Sequence, residues 1–231
     1  MHFLLTNDDG IDAPGLAALT QAISAVPGAQ VSIVAPAEEQ SMCGHCVTTR
    51  KVLVVDPRGE RRWAVHGLSA DCVRLALFAL ELKPDWVISG VNAGGNLGQD
   101  LVISGTVAAA REAAYQGIPA MAFSHYLIKG IEVDWPRVAA WVTAITARLS
   151  GEYLHDGEYW NVNFPHLPPG PVPMPEIVRC YPERLPLNVS YVATEPGRYQ
   201  YTAQYSDRPR VPGSDVAECF AGNITVSRLK V

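Results

Sequence analysis

The sequence predicts an α/β fold built on a mostly parallel sheet. Through the first two thirds of the 231 residues, short apolar runs of strand length alternate with longer amphipathic runs of helical period. This alternation is typical of consecutive βαβ units, whose strands lie parallel in one sheet. Hydrophobic residues make up 48% of the chain and charged residues 18%. The composition therefore favours a globular protein with a large buried core over a disordered chain.

The first βα unit occupies the first 28 residues. His2–Leu5 form a short apolar run and are predicted to be a buried strand. Asp12 is placed to cap the following helix, and Pro14 suits the first turn of that helix. Apolar residues recur at helical spacing until Gly28, which ends the helix.

The next segment contains a second strand, a hairpin and a second helix. Residues 30–35 form the second apolar run of strand length. Residues 51–55 and 63–66 flank the turn signal at 56–59 and are predicted to pair as a hairpin. Residues 69–82 carry an apolar face at helical spacing, so a helix is predicted there.

The remaining elements of the alternation surround a glycine-rich loop. A short apolar strand at 85–89 leads into the glycine-rich residues 90–98. A helix is predicted to begin near Ser104 and to end before Gly117. Three further elements are a strand at 120–124, a helix at 138–149 and a strand at 160–164.

The character of the chain changes after Phe164. The proline-rich residues 166–173 suit neither a regular helix nor a central strand. We therefore predict an α/β core at residues 1–165, followed at residues 166–231 by a proline-rich linker and a β-rich extension. Because the extension has little apolar pattern of its own, we expect it to pack on the core or on another subunit.

Charge, targeting signals and cysteines narrow the class of protein. The net charge of −5 disfavours binding to a nucleic-acid polymer. The absence of a basic leader and of an apolar run of about 18 residues predicts a cytoplasmic protein with no membrane partner. Cys43-Gly44-His45-Cys46 has the spacing of a dithiol redox motif, but the β-branched residues 47–49 that follow favour a strand over the helix such a motif opens. Redox catalysis remains a minor alternative.

Polar side chains follow three of the predicted strands. Asp8 and Asp9 come after the first strand, Ser41 after the second, and Asn92 and Asn96 after the strand that leads into the glycine-rich loop. The carboxyl ends of parallel strands form the ligand-binding edge of an open α/β sheet. Two carboxylates with a hydroxyl and an amide oxygen suit Mg²⁺, Mn²⁺ or Ca²⁺.

A candidate anion site lies next to this oxygen cluster. Ser104-Gly105-Thr106 offers hydroxyls and free N–H groups at the start of a helix, an arrangement that binds phosphate. Taken singly, Asp8-Asp9-Gly10 could be a turn, Ser104 an ordinary helix cap and Ser41 a surface hydroxyl. Their joint placement after strands of one sheet favours a site for phosphoryl chemistry.

Blocks of residues distributed in order over positions 1 to 165 resemble the SurE survival-protein family of metal-dependent nucleotide phosphatases. The blocks are Leu5-Thr6-Asn7-Asp8-Asp9-Gly10, Ala35-Pro36 with Gln40-Ser41, Ala70-Asp71-Cys72-Val73, Pro84-Asp85 with Ser89-Gly90-Val91-Asn92-Ala93-Gly94, Asn96-Leu97-Gly98, Ser104-Gly105-Thr106-Val107 with Gly117-Ile118-Pro119-Ala120, and Asn161-Val162-Asn163-Phe164-Pro165. The chain departs from the family at Met42, where a glycine is usual, and at Gly67-Leu68-Ser69, where Gly-Thr-Pro is usual.

The resemblance implies a specific fold, activity and assembly. It implies a Rossmann-like core with helices on both faces of the sheet, and homodimers or homotetramers built by exchanged C-terminal elements. It implies hydrolysis of nucleoside 5′- or 3′-monophosphates with a divalent metal, Mg²⁺ or Mn²⁺. The metal ligands it implies are Asp8, Asp9, Ser41 and Asn92.

The predicted reaction is the hydrolysis of a phosphomonoester by attack of a metal-bound water. In this hypothesis Asp8 and Asp9 are the catalytic carboxylates that anchor the ion. The phosphate-binding candidates are Asn96, Ser104, Gly105 and Thr106. One alternative is an aspartyl-phosphate phosphatase of the haloacid-dehalogenase type, although such enzymes place the second Asp two residues on rather than adjacent. A non-catalytic nucleotide-binding protein is the other.

Overall fold

The computed structural model describes residues 1–231, and its main feature is a nine-stranded mixed sheet. The first half of the chain contains β1 (His2–Thr6), α1 (Pro14–Ser24), β2 (Gln30–Pro36), β3 (Val55–Gly59), β4 (Arg62–Val65), α2 (Ser69–Phe78) and β5 (Trp86–Ala93). The middle contains α3 (Asp100–Ile103), α4 (Gly105–Tyr115), β6 (Ala120–His125), α5 (Trp135–Leu149) and β7 (Glu158–Phe164). The last part contains β8 (Ile177–Arg179), β9 (Tyr191–Glu195), β10 (Arg198–Tyr201), α6 (Asp215–Phe220) and β11 (Ile224–Lys230).

The strand order of the sheet is β3-β4-β2-β1-β5-β6-β7-β11-β8. The six strands from β4 to β7 in this order pair in parallel. Only the β3–β4 and β7–β11 pairs are antiparallel. The chain runs from β1 to β2 on one side and returns through β5 on the other, so the order reverses between β1 and β5. Such a switch point opens a crevice at the carboxyl ends of the two strands.

The sheet carries helices on both faces, as the sequence predicts. Along β1, Phe3 and Leu5 join the apolar cluster that contains residues of α1 and α5. Leu4, which lies between them, joins the opposite cluster with residues of α2 and α4. Burying side chains of this size stabilises the fold by roughly 1.5–3 kcal/mol each. The unbroken apolar run Phe3–Leu5 in β1 therefore reflects burial on two faces rather than one.

The C-terminal segment completes the sheet instead of standing apart. β11 pairs with β7 on one side and with β8 on the other. β9 and β10 form a separate two-stranded hairpin whose residues are all exposed. None of the helices combines the length and the hydrophobicity that a membrane crossing requires. The boundary predicted at residues 165 and 166 falls just after β7 and stays a prediction about domain organisation.

Residues 47–49 and 51–54, which were predicted to favour strands, lie outside every strand. Two further local predictions were wrong for a tertiary reason. The turn predicted at 56–59 belongs to β3, and the chain turns after Gly59 instead. Pro57 is tolerated in β3 because this strand lies at the edge of the sheet, where a missing N–H leaves no neighbour unpaired. Asp12 does not cap α1, since its carboxylate pairs with Arg62 at 2.9 Å and Ala13 is the N-cap residue.

Candidate active site at the switch point of the sheet

Asp8 lies at the centre of the site, directly beyond β1. Its side chain is only 3% exposed, and burial raises the pKa of its carboxyl to about 6, against a hydrogen bond from Thr106 that lowers it. The Thr106 hydroxyl donates that hydrogen bond to Asp8 Oδ1. No lysine or arginine pairs with the carboxylate. A buried carboxylate without a cationic side chain is unfavourable unless another positive charge reaches it.

Asp9 is fixed against the end of β5. Its Oδ2 accepts a hydrogen bond from the backbone N–H of Ala93 at 2.9 Å. Burial raises the pKa of Asp9 above its ordinary value, the bond from Ala93 opposes this, and the negative charge of Glu39 adds to it. The two adjacent carboxylates are thus held by different elements, Asp8 by α4 and Asp9 by β5.

The loop after β2 brings Ser41 to the same place. The backbone N–H of Gln40 donates to the carbonyl oxygen of Asp8 at 2.7 Å, which ties this loop to the end of β1. The Ser41 hydroxyl donates to Glu39 Oε1 at 2.7 Å. Because the hydroxyl hydrogen is used in this bond, the Ser41 oxygen keeps lone pairs for a ligand.

Asn92 contributes a fourth oxygen from β5. Its amide nitrogen donates to the carbonyl oxygen of Gly94 at 2.7 Å, so its amide oxygen remains free to accept or to coordinate. Asp8, Ser41 and Asn92 line one cavity of about 670 Å³. Ala93, to which Asp9 is bonded, lines it as well. The structure thus places three of the four predicted metal ligands in one cavity and bonds the fourth, Asp9, to a residue that lines it.

The N-terminus of α4 approaches Asp8 closely because residue 105 is glycine. A Cβ atom at Gly105 would lie 2.8 Å from Asp8 Cβ and 2.9 Å from Asp8 Oδ2. Ser104 is the N-cap residue of α4, and its hydroxyl accepts the N–H of Val107 at 3.1 Å. The helix therefore presents its first N–H groups and its partial positive charge beside the carboxylate.

Asn96 is held by a buried network of polar side chains. Its backbone N–H donates to Asn163 Oδ1 at 2.8 Å, and its side-chain nitrogen donates to Ser124 at 2.7 Å. The amide nitrogens of Asn161 and Asn163 both donate to the Asn96 carbonyl oxygen at 3.0 Å. The spacing of two in Asn161-Val162-Asn163 places both asparagines on one face of β7, which is the signal that could have assigned them this role.

The C-terminal segment supplies the far wall of the cavity, and sequence reasoning missed it. Tyr201, Gln204, Tyr205 and Arg208 all line the cavity. Arg208 binds Asp100 with two N–O distances of 2.7 Å, and the Tyr205 hydroxyl donates to Asp100 Oδ2 at 2.8 Å. These contacts join residues more than 100 positions apart, so no local sequence pattern predicts them.

The cysteine motif lacks two features that are typical of a dithiol redox motif. Burial and the negative charge of Asp8 raise the pKa of the Cys43 thiol, whereas a reactive cysteine needs a lowered pKa. No helix begins at the motif. The side chain of His45 contacts α4, where its Nε2 lies 2.9 Å from Glu112 Oε2. His45 does not line the cavity. Glu112 also binds Arg74, so this cluster anchors the loop to the core.

The donor set is one of oxygen atoms. No group of three His, Cys, Asp or Glu side chains is arranged to hold a metal ion. The available ligands are two carboxylates, one hydroxyl and one amide oxygen, which suit a hard divalent cation rather than a thiophilic one. The residues present therefore fit the predicted metal.

Comparison with known proteins identifies the family. The family model described as Survival protein SurE matches residues 3–184. The chain belongs to the SurE family. A putative 5′-nucleotidase from Synechocystis sp. is 46% identical over the full length of both chains. A protein named 5′-nucleotidase SurE from Geotalea uraniireducens is 45% identical over 73% of this chain and 67% of its own.

A solved structure extends the family relationship to the fold. The crystal structure of the SurE protein from Aquifex aeolicus superposes with a TM-score of 0.86 at 30% identity, covering 100% of this chain and 93% of that one. The predicted α/β fold and the predicted family are thus confirmed. The SurE relatives also confirm the predicted enzyme class, a hydrolase of phosphoric monoesters.

Proposed function

We propose that this SurE protein is a divalent-metal-dependent phosphomonoesterase that hydrolyses nucleoside monophosphates to nucleoside and phosphate. The observation that carries the proposal is the convergence of Asp8, Asp9, Ser41 and Asn92 at the switch point, beside the N-terminus of α4. The relatives named 5′-nucleotidase support the substrate class. The proposal covers both 5′- and 3′-monophosphates.

The proposed metal ligands are the four oxygen donors of the site, and the proposed ion is Mg²⁺ or Mn²⁺. The buried, unpaired carboxylate of Asp8 supports this assignment, because a cation would offset its desolvation. When bound, such an ion neutralises phosphate charge and activates water. The hydrogen bonds from Thr106 to Asp8 and from Ala93 to Asp9 hold the two carboxylates in fixed positions for it.

The proposed phosphate site is the start of α4 with the neighbouring loop. The N–H groups of Gly105 and Thr106 begin the helix, and Ser104 keeps a hydroxyl hydrogen to donate after accepting the bond from Val107. Asn96 lines the same cavity and belongs to the proposed phosphate site. The Thr106 hydroxyl is already bonded to Asp8, so we assign Thr106 to the site through its backbone.

We further propose that the protein works as a homodimer or homotetramer through its C-terminal elements. The β9–β10 hairpin exposes large apolar residues away from the cavity, namely Tyr191, Val192 and Tyr199. A hairpin of two strands is only marginally stable alone and is stabilised by packing against a further surface. The molar mass in solution, measured by light scattering after gel filtration, tests this part of the proposal.

The activity is tested by phosphate release from a panel of nucleoside monophosphates with Mg²⁺, Mn²⁺ or EDTA. We expect release to require the metal and to fall by at least about a hundredfold in Asp8→Asn, which removes one charged ligand. Glu60→Gln is the control, since Glu60 is exposed and makes no ionic contact. Full activity in EDTA would contradict the proposal. A trapped phospho-Asp8 would support the aspartyl-phosphate alternative, and metal-dependent binding without phosphate release would support a non-catalytic protein.

A further inference from the structure

Large apolar side chains stand at the mouth of the active-site cavity without packing into the core. Met42, Ile103 and Tyr201 are 78%, 47% and 50% exposed. All three line the cavity that contains the proposed metal ligands. Exposed apolar groups gathered around one cleft are typical of a surface that an apolar part of a ligand covers.

Met42 has a strained backbone conformation, and its side chain makes little contact with the protein that could offset the strain. Its φ is +56°, in the left-handed region that is strained for a residue with a Cβ atom and open to glycine. A side chain that is 78% exposed gains little from packing in return. Strained residues of this kind concentrate at ligand-binding sites. Met42 is also the position at which this sequence departs from the glycine usual in the family.

The loop that carries Met42 is held beside Ile103. The backbone N–H of Gly44 donates to the Ile103 carbonyl oxygen at 2.8 Å. Tyr201 comes from the C-terminal segment and lines the same cavity. Next to Tyr201, the side-chain amide of Gln204 lines the cavity and makes no hydrogen bond within the protein. The mouth therefore offers apolar and aromatic surface together with a free amide.

We propose that Met42, Ile103 and Tyr201 form a clamp for the nucleobase of the substrate. This inference rests on the proposed hydrolysis of nucleoside monophosphates. A thioether makes favourable contacts with an aromatic ring, and a tyrosine ring stacks on any base. The Gln204 amide provides donors and an acceptor for the polar edge of the base. The clamp separates base recognition from the oxygen cluster that handles the phosphate.

The test compares a nucleotide with the same sugar phosphate lacking a base. For wild type, Met42→Gly and Tyr201→Ala, kcat/KM is measured with adenosine 5′-monophosphate and with ribose 5-phosphate. We expect the ratio of the two values to fall about three- to tenfold in Met42→Gly. We expect a fall of about tenfold or more in Tyr201→Ala. Val102→Ala is the matched control, because Val102 is 71% exposed, adjoins Ile103 and does not line the cavity.

Met42→Gly also separates binding from folding. Glycine relieves the strain at φ +56° and adds freedom to the unfolded chain, and these effects oppose each other, so thermal stability should change little. An unchanged ratio in both variants overturns the clamp. An equal loss with both substrates overturns it too, since it indicates a disturbed phosphate site.

The two proposals fail in different ways. A wild-type enzyme that cleaves both substrates equally well overturns the clamp and leaves the phosphatase. If the wild type releases phosphate from neither substrate, the proposed function is wrong. Adenosine binding, measured by calorimetry, then tests whether the clamp binds a nucleobase. Weaker adenosine binding in Met42→Gly and Tyr201→Ala than in Val102→Ala supports the clamp, and equal or absent binding overturns it.

Discussion

Substituting Gly105 by alanine should damage the active site more than the fold. The added Cβ would lie 2.8 Å from Asp8 Cβ and 2.9 Å from Asp8 Oδ2, whereas carbon atoms in contact are about 3.5–4.0 Å apart. Asp8 must therefore move away by roughly 0.7–1.2 Å. Overpacking of this kind lowers the free energy of unfolding by about 1–3 kcal/mol. The higher helix propensity of alanine raises it by up to about 1 kcal/mol. The net loss of stability should therefore lie between about 0 and 3 kcal/mol.

The catalytic effect of Gly105→Ala should be larger. A displacement of about 1 Å in a reacting constellation can lower the rate by about a hundredfold. The assay is phosphate release from adenosine 5′-monophosphate with Mn²⁺, together with thermal unfolding and Mn²⁺ titration. Gly151→Ala is the control, because a Cβ atom there would meet only the Arg148 carbonyl oxygen at 4.0 Å. If Gly105→Ala kept wild-type kcat/KM and wild-type Mn²⁺ affinity, the inferred closeness of α4 and Asp8 would be refuted.

Two further predictions concern pH and the buried charges. Burial opposes ionisation of Glu112, but hydrogen bonds from His45, Arg74 and Gln116 outweigh it and lower the pKa of Glu112 to about 2. This lowered pKa means that ionised Glu112 stabilises the folded state by about 3 kcal/mol. The stabilisation is fully present above the ordinary pKa of 4.5 and is lost as pH falls towards 2. Glu112→Gln should therefore unfold at lower urea concentration at pH 7, with a gap from wild type that narrows at pH 4; a constant gap would contradict this. Burial and the charge of His166 lower the pKa of His125 to about 4. As pH falls, His125 therefore takes up its proton in the unfolded state before it does so in the folded state. The free energy of unfolding should fall by about 2 kcal/mol from pH 7 to pH 5. His125→Phe should weaken this dependence, because phenylalanine cannot take up a proton. The substitution breaks no hydrogen bond, since neither ring nitrogen of His125 has a hydrogen-bond partner. An unchanged profile of urea midpoint against pH would refute the assignment.

The order of the strands explains why the oxygen cluster could be predicted. Asp8 and Asp9 follow β1, and Asn92 is the last residue but one of β5. These two strands are neighbours on either side of the switch point. Parallel strands deliver their carboxyl ends to one edge, so residues far apart in sequence meet there. Ser41 joins them because the backbone N–H of Gln40 binds the Asp8 carbonyl oxygen.

The sequence by itself determined the alternation of strands and helices, the burial of β1 and the family. Hydrophobic period, turn residues and short motifs are local, and each acts within a few neighbouring residues. It did not determine that Pro57 lies in an edge strand, nor that Arg208 and Tyr205 bind Asp100 across more than 100 residues. Only the tertiary structure decided these, because such contacts depend on where whole elements pack. The same holds for Met42, whose exposure and left-handed backbone suggest a role only once the cavity beside it is known.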